Sequence, residues 1–140
     1  TDCFQPAELK YRATLETIKV LNKYDIGYLI VTKSHFVAND EYIDVMRKDL
    51  AHIQITTTSF DDEMIAQYEK ASPPDKRVEA IEKLQALGFD VAFRLSPYVE
   101  GWVDFDKLLQ SLSVELPTIT DFILESCFLQ YAVLNNRECH

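Results

Sequence analysis

GYLIVTKS, residues 27–34, is a short apolar run that ends abruptly in polar side chains. A run of this length that follows a glycine and is rich in β-branched residues predicts a buried β-strand. Its polar residues come at the carboxyl end, which is where open and barrel-type α/β sheets build their sites. The same arrangement recurs at Ala51–Thr58 (AHIQITTT) and at Asp90–Pro97 (DVAFRLSP), with helical patterns between the strands.

This alternation of strands and helices predicts an α/β fold with a parallel sheet and right-handed crossovers. On the second and third strands an apolar face opposes a more polar one, which consists of His52, Gln54, Thr56, Ala92, Arg94 and Ser96. A parallel sheet covered by helices on both sides is apolar on both faces, so the pattern favours a barrel with a polar lumen over a sandwich. A closed barrel takes about eight strands, so we expect a partial (β/α) barrel in a single domain over residues 1–140. The abrupt start favours a piece of a longer protein over a barrel with exposed edges.

Apolar residues at helical spacing predict helices around the strands. The expected helices cover about 7–23, 40–50, a stretch from Asp61, a stretch from Pro74 to Gly88, and 105–112. Their buried stripes are expected to include Tyr11, Leu15, Ile18, Leu21, Val78, Ile81, Leu84 and Leu87. Asn39 or Asp40 is expected to cap the second helix. The tail at 118–134 fits a helix better because no turn residue divides it, although ITDFIL alone would pass for a strand.

The chain has 140 residues, of which 47% are hydrophobic, and a formal net charge of −9. This length and apolar content suffice for one domain with a real core. The acidic balance argues against non-specific nucleic-acid binding by this chain alone, because phosphate contacts need a positive surface. No apolar run reaches the roughly 18 residues of a membrane span, and no secretory signal opens the sequence.

The three cysteines are Cys3, Cys127 and Cys139, and they are widely spaced. An odd number without a pairing rhythm fits a reducing cytoplasm better than a disulfide framework. The spacing also excludes a local CxxC or CxxxCxxC metal loop. Cys139 beside His140 is expected to belong to a frayed terminus rather than to a metal site.

Several segments occur in a familiar order, namely TDCFQPAE, a strand ending in TKS, a strand ending in ITTTSFDDEM, YEKASPPDKRVEAIEKLQALGFDV and RLSPYVEGW. Their order and spacing resemble the radical SAM superfamily, in its spore photoproduct lyase-like branch. The resemblance covers about residues 1–112 and leaves 113–140 as an unassigned tail. It departs at Glu69-Lys70, where the family often has Glu-Pro.

The resemblance implies a fragment of a TIM-like (β/α) barrel whose parent protein uses S-adenosylmethionine and a [4Fe-4S] cluster. In the family, cysteines of a CxxxCxxC loop after the first strand hold the cluster. This sequence lacks that loop, and Cys3 falls after the second strand of the implied barrel. We therefore expect this chain alone to be inactive, with the cluster ligands outside it.

Five residues match cofactor-binding positions of the family. Thr1 and Asp2 match the polar pair that approaches the methionine end of the cofactor, and Lys33 matches a lysine that reaches its carboxylate. Thr56 matches a hydroxyl residue at the same end, and Ser96 matches a position whose backbone meets the adenine. The resemblance implies that all five lie on the carboxyl-terminal rim of the barrel.

Other polar residues have more than one interpretation. Arg94 points to the predicted lumen, where it either holds an anionic substrate group or, as we favour, pairs with a neighbouring acid. Glu69 and Arg77 flank the Pro-Pro break and are expected to pair across it. His35 and His52 lack partners at catalytic or metal spacing, so surface or satisfied histidines are expected.

Tyr98 and Trp102 lie in a predicted rim loop, where they either line a substrate pocket or pack. The function implied by the resemblance is that of an enzyme fragment whose parent generates a 5′-deoxyadenosyl radical. The alternative is a non-catalytic relative that acts as a small-molecule binding or interaction module. A CxxxCxxC motif upstream in the same reading frame would support the enzyme fragment, and a native start near Thr1 would support the non-catalytic module. Uncovered sheet edges would invite pairing between copies.

Overall fold

A parallel β-sheet organises the part of the chain that the computed structural model describes, namely residues 2–59, 63, 69–98, 104, 106–107, 109–110 and 122–126. Its strands are hydrogen-bonded in chain order, with bounds Tyr28–Thr32 (β1), Ala51–Thr57 (β2), Asp90–Tyr98 (β3) and Phe122–Ser126 (β4). Each neighbouring pair is parallel. The predicted parallel α/β architecture is therefore confirmed, with a fourth strand beside the three that were predicted.

One face of the sheet is buried beneath a helix, α4, which runs over Pro74–Ala86. The side chains on this face are the apolar ones predicted to lie there, namely Ile53, Ile55, Val91, Phe93 and Leu95. Val78, Ile81 and Leu84 of α4 belong to the same core cluster. Burial of each such side chain contributes about 1.5–3 kcal/mol, so this layer fixes the opposite, more polar face.

Gly88 ends α4, as predicted. It has a φ of 83°, in the left-handed region that favours glycine. The Phe89 N–H donates to the carbonyl of Leu84 at 3.0 Å, and the Gly88 N–H donates to that of Gln85 at 2.8 Å. These two bonds form a Schellman motif. Leu87 lies in this turn and is exposed, so its placement on the buried stripe is wrong.

The helix predicted before β1 is in fact two helices, α1 (Glu8–Tyr11) and α2 (Ala13–Lys23). Arg12 separates them with a φ of 55°, a conformation that no helical residue adopts. The break changes which side chains face inward. Ile18 is buried as predicted, whereas Tyr11 is exposed.

A buried carboxylate accounts for the break. Glu8 accepts hydrogen bonds from the backbone N–H groups of Thr14 (2.9 Å) and Leu15 (3.1 Å), which lie in the first turn of α2. The Tyr42 hydroxyl donates to the same carboxylate at 2.9 Å. Burial would raise the pKa of Glu8, but these hydrogen bonds outweigh it and hold that pKa below its ordinary value.

The segment between β1 and β2 differs from the predicted loop and long helix. It forms a 3₁₀ helix at His35–Ala38 and a short helix, α3, at Asp40–Ile43. Beyond α3 the carbonyl of Val45 accepts a hydrogen bond from the side chain of Asn22 at 2.7 Å, not from a following helical turn. Asn39 precedes α3, but its side chain makes no capping hydrogen bond.

The helix predicted for the tail is wrong over Phe122–Ser126, which forms β4. In the ladder, Phe93 lies opposite Phe122 and Leu95 opposite Leu124. The outer edge of β3 offers a row of unpaired backbone groups, and pairing with them outweighs the local helical periodicity.

Several predicted features fall partly or wholly outside the described residues. The helix expected from Asp61 is described only at Glu63, and the rest of the tail not at all. Of the helix predicted over 105–112, residues 106, 107, 109 and 110 are described and helical. Within the described ranges, no helix has the length and apolar character that a bilayer crossing requires.

Candidate functional site

The carboxyl ends of β1, β2 and β3 meet at one cavity, of about 350 Å³. Its lining comprises Asp2, Val31, Thr32, Lys33, Thr56, Arg94, Ser96 and Pro97. The strand register explains this convergence. Thr56 lies opposite Arg94, and Thr32 lies opposite Ile55, so the residue after Thr32 reaches the level of Thr56. Side chains two residues apart share a face, which brings the polar residues together.

Four of the five residues predicted to bind the cofactor line this cavity, namely Asp2, Lys33, Thr56 and Ser96. Thr1 lies outside the described residues. Arg94 lines the same cavity, on the side predicted to be the lumen. The geometry therefore gathers four of the five predicted residues around one space.

Asp2 is held by the end of β1. Its Oδ1 accepts from the Phe4 N–H at 2.8 Å and from the Thr32 hydroxyl at 2.8 Å. Its Oδ2 accepts from the Lys33 N–H at 2.7 Å. Both carboxylate oxygens thus hold backbone and side-chain donors in place, so Asp2 shapes the cavity beside Lys33. The bonds to Thr32 and Lys33 span 30 and 31 positions, so no local pattern predicted them.

Lys33 extends from the end of β1 into an ion pair with Glu69. Glu69 in turn pairs with Arg77 at 2.8 Å, which confirms the pairing expected across the Pro-Pro break. Burial would raise the pKa of Glu69, but hydrogen bonds from Lys33 and Arg77 lower it below its ordinary value. Glu69 is the site-associated residue whose contact with Lys33 the sequence did not predict, because 36 positions separate the two.

Thr56 has a buried hydroxyl for which the described residues supply no hydrogen-bond partner. The residue is only 2% exposed, although it lines the cavity. Its backbone carbonyl is bonded, since it accepts from Arg77 Nη1 at 2.8 Å. A buried hydroxyl without a partner costs about 1–3 kcal/mol, so a polar ligand atom in the cavity would be favoured there.

The two histidines have ordinary partners. His35 Nδ1 lies 2.7 Å from the hydroxyl of Ser72, and His52 Nδ1 lies 2.6 Å from a carboxylate oxygen of Asp90. The expectation of satisfied histidines is confirmed for both. Among the residues described, no three His, Cys, Asp or Glu side chains are grouped as a metal site would require.

The predicted rim loop begins later than expected, because β3 continues to Tyr98 and includes Pro97. The side chain of Tyr98 and the whole of Trp102 lie outside the described part of the chain. A second cavity, of about 490 Å³, adjoins the first and shares Asp2 and Lys33 with it. The rest of its lining is Phe4, Gln5, Pro6, Ser34, Phe36, Lys70, Ala71 and Ser72.

Comparisons with known proteins agree with this architecture. No protein-family model and no curated protein matches the sequence. Solved structures do match. A cysteine-to-serine mutant of spore photoproduct lyase has a TM-score of 0.66 and 21% identity, over 93% of this chain and 41% of that one. A double mutant of the lyase with bound AdoMet and dinucleoside spore photoproduct has a TM-score of 0.64 and 22% identity, over 84% and 35%.

A tyrosine-to-phenylalanine mutant of the same lyase matches equally well, with a TM-score of 0.65 and 22% identity. The chain spans only about two fifths or less of the length of these structures. At this level of identity the likeness establishes the fold. The chain has the fold of part of the spore photoproduct lyase structures, and the predicted partial (β/α) barrel is confirmed.

Proposed function

We propose that this chain forms part of the S-adenosylmethionine-binding wall of a radical SAM enzyme. The observation that carries the proposal is the buried hydroxyl of Thr56, which has no partner among the described residues and belongs to a residue that lines the same cavity as Lys33. The fold supports it, because a lyase of the same architecture has been solved with AdoMet bound. The cavity lies at the carboxyl ends of the strands, where barrel enzymes bind their ligands.

The lining suits the two ends of the cofactor. The Lys33 ammonium would neutralise the carboxylate of the methionine moiety, for which a positive charge is the main requirement. The Thr56 hydroxyl would bond the same moiety and so satisfy its own polar atom. Ser96 would offer its backbone to the adenine. Thr1 and Asp2 would border the methionine end, and the bonds that Asp2 makes to β1 would fix that border.

A [4Fe-4S] cluster fits this sequence less directly. Cys3, Cys127 and Cys139 do not form the CxxxCxxC spacing that the family uses. The cluster ligands would therefore come from a part of the protein outside this sequence. When bound, cluster and S-adenosylmethionine together would supply reductive cleavage to methionine and a 5′-deoxyadenosyl radical. The residues described here would bind and orient the cofactor for that chemistry.

Calorimetric titration of the chain with S-adenosylmethionine tests the proposal. Lys33→Met keeps the length of the side chain and removes its charge, and we expect it to weaken binding at least about tenfold. Lys76→Met is the matched control, because Lys76 is an exposed lysine of α4 outside the lining of both cavities. Absence of binding to the unaltered chain, or equal binding by Lys33→Met, would overturn the proposal.

The longer protein distinguishes the enzyme from the alternative binding module. After anaerobic reconstitution with iron and sulfide, the enzyme is expected to hold a cluster and to release 5′-deoxyadenosine when reduced in the presence of S-adenosylmethionine. A protein that binds S-adenosylmethionine through Lys33 but holds no iron would instead be the non-catalytic module.

A further inference from the structure

We infer that Glu69 is a positioning residue, which holds the Lys33 ammonium at the cavity wall so that it meets the carboxylate of the ligand. This inference rests on the proposed function. Glu69 itself lines neither of the two cavities, so its contribution would pass through Lys33. Three hydrogen bonds to Glu69, two bonds from Arg77 to backbone carbonyls and the formal charge of the Lys33–Glu69–Arg77 cluster support it.

Glu69 is held on both carboxylate oxygens. Its Oε1 accepts from Lys33 Nζ and from the Thr58 hydroxyl, the latter at 2.9 Å. Its Oε2 accepts from Arg77 Nη2 at 2.8 Å. The Glu69 side chain is only 10% exposed, so water does little to loosen these bonds. The carboxylate is therefore a fixed point against which the flexible side chain of Lys33 is fastened.

Arg77 ties that fixed point to the sheet. Its side chain is 2% exposed, and besides Glu69 it donates to two backbone carbonyls, of Ser72 at 2.7 Å and of Thr56 at 2.8 Å. Thr56 is itself a lining residue of the cavity. The chain of contacts from Thr56 through Arg77 and Glu69 to Lys33 therefore sets the spacing between two proposed ligand contacts.

The charges leave Lys33 able to bind an anion. Two cations and one carboxylate give the Lys33–Glu69–Arg77 cluster a formal charge of +1. An ammonium has three donors, and the side chain of Lys33 is 30% exposed beside the cavity. Glu69 thus has opposite effects that an experiment can separate. Its charge opposes an incoming carboxylate, whereas its geometry holds the ammonium ready for one.

Glu69→Gln separates these effects. In this variant the amide oxygen would still accept from the buried guanidinium of Arg77. The amide N–H₂ would then face Lys33, whose ammonium cannot accept a hydrogen bond. We expect the affinity for S-adenosylmethionine to fall about tenfold, because the ammonium loses its fixed position. If Glu69 mattered only through its charge, the same substitution would strengthen binding. Glu79→Gln on the exposed face of α4 is the control for a lost carboxylate.

A ligand without the carboxylate distinguishes positioning from general damage to the fold. 5′-Methylthioadenosine lacks the amino-acid moiety, so we expect Glu69→Gln to leave its affinity unchanged. An equal loss for both ligands, or no loss for S-adenosylmethionine, would overturn the inference. If the unaltered chain binds 5′-methylthioadenosine and S-adenosylmethionine equally well, Lys33 does not meet a carboxylate. In that case both the proposed contact of Lys33 with the methionine carboxylate and the positioning role of Glu69 are refuted.

Thr58→Val removes one of the hydrogen bonds that hold the Glu69 carboxylate. It endangers folding less than Glu69→Gln does, because the ion pairs of Glu69 stay intact. We expect a selective loss of roughly threefold for S-adenosylmethionine. The ¹⁵N resonance of the Lys33 ammonium in the unliganded chain gives an independent readout, assigned with Lys33→Met. Both Thr58→Val and Glu69→Gln should speed its hydrogen exchange. Unchanged exchange in both would refute positioning by Glu69 even if the cofactor proposal holds.

Discussion

Replacing Thr56 by valine is expected to stabilise the unliganded protein while weakening its binding of S-adenosylmethionine. The Thr56 hydroxyl is buried without a partner among the described residues, and a hydroxyl in that state costs about 1–3 kcal/mol. Valine has nearly the same volume and a high preference for strands. We therefore expect the free energy of unfolding to rise by about 1–2 kcal/mol, a gain of roughly 4 °C in Tm per kcal/mol for a chain of this size.

Thr57→Val is the matched control on the same strand. Thr57 is also 2% exposed, but its hydroxyl donates to the carbonyl of Ser59 at 2.7 Å. The same substitution there should lower the free energy of unfolding by about 1 kcal/mol, because it removes a hydrogen bond that is made. The two variants are thus predicted to shift stability in opposite directions.

Urea unfolding followed by circular dichroism measures both changes, and calorimetry measures the affinity for S-adenosylmethionine. Thr56→Val should bind the cofactor about tenfold more weakly despite its higher stability. Destabilisation by Thr56→Val equal to that by Thr57→Val would mean that the Thr56 hydroxyl is already satisfied. A more stable Thr56→Val with full affinity would mean that the hydroxyl does not meet the ligand.

The stabilising bonds to Glu8 should depend on pH. Since the pKa of folded Glu8 lies below its ordinary value of 4.5, its contribution is present above that pH and is lost as pH falls through the lowered pKa. Urea titrations at a series of pH values should therefore show that Glu8→Gln removes part of the acid dependence. The exposed Glu16→Gln is the control for the loss of one carboxylate, and an equal change of slope for both variants would contradict the assignment. Gly88→Ala should cost about 1 kcal/mol, because alanine is strained at a φ of 83° while space is open around it. Gly27→Ala is its control, since the nearest atom would lie at an ordinary 3.6 Å, and similar losses at both would refute the conformational reason.

Local pattern was enough to predict β1, β2 and β3 and the two faces of β2 and β3. Period-two alternation separates Ile53 and Ile55 from Thr56, and the structure keeps that division. Because parallel strands end at the same edge, polar residues that follow three such strands converge without further information. That reasoning placed Lys33, Thr56 and Ser96 at one cavity, whereas the roles proposed for them come from the resemblance to a family.

Long-range contacts account for what the sequence did not predict. The helix before β1 breaks because Glu8 bonds the start of α2 and the hydroxyl of Tyr42, which is 34 positions away. The tail forms β4 because β3 offers it an edge, and no property of its own sequence decided between strand and helix. Glu69 meets Lys33 across 36 positions of sequence, and Arg77 of α4 bonds the same carboxylate. Each of these outcomes depends on a partner that periodicity cannot identify.

The bonds made by Asp2 have a practical consequence for handling the protein. Since its carboxylate fastens the backbone at Lys33 and the hydroxyl of Thr32, the first residues are part of the cavity wall. Loss or replacement of Asp2 would release the end of β1. Any purification strategy therefore has to leave Asp2 and its bonds to β1 intact.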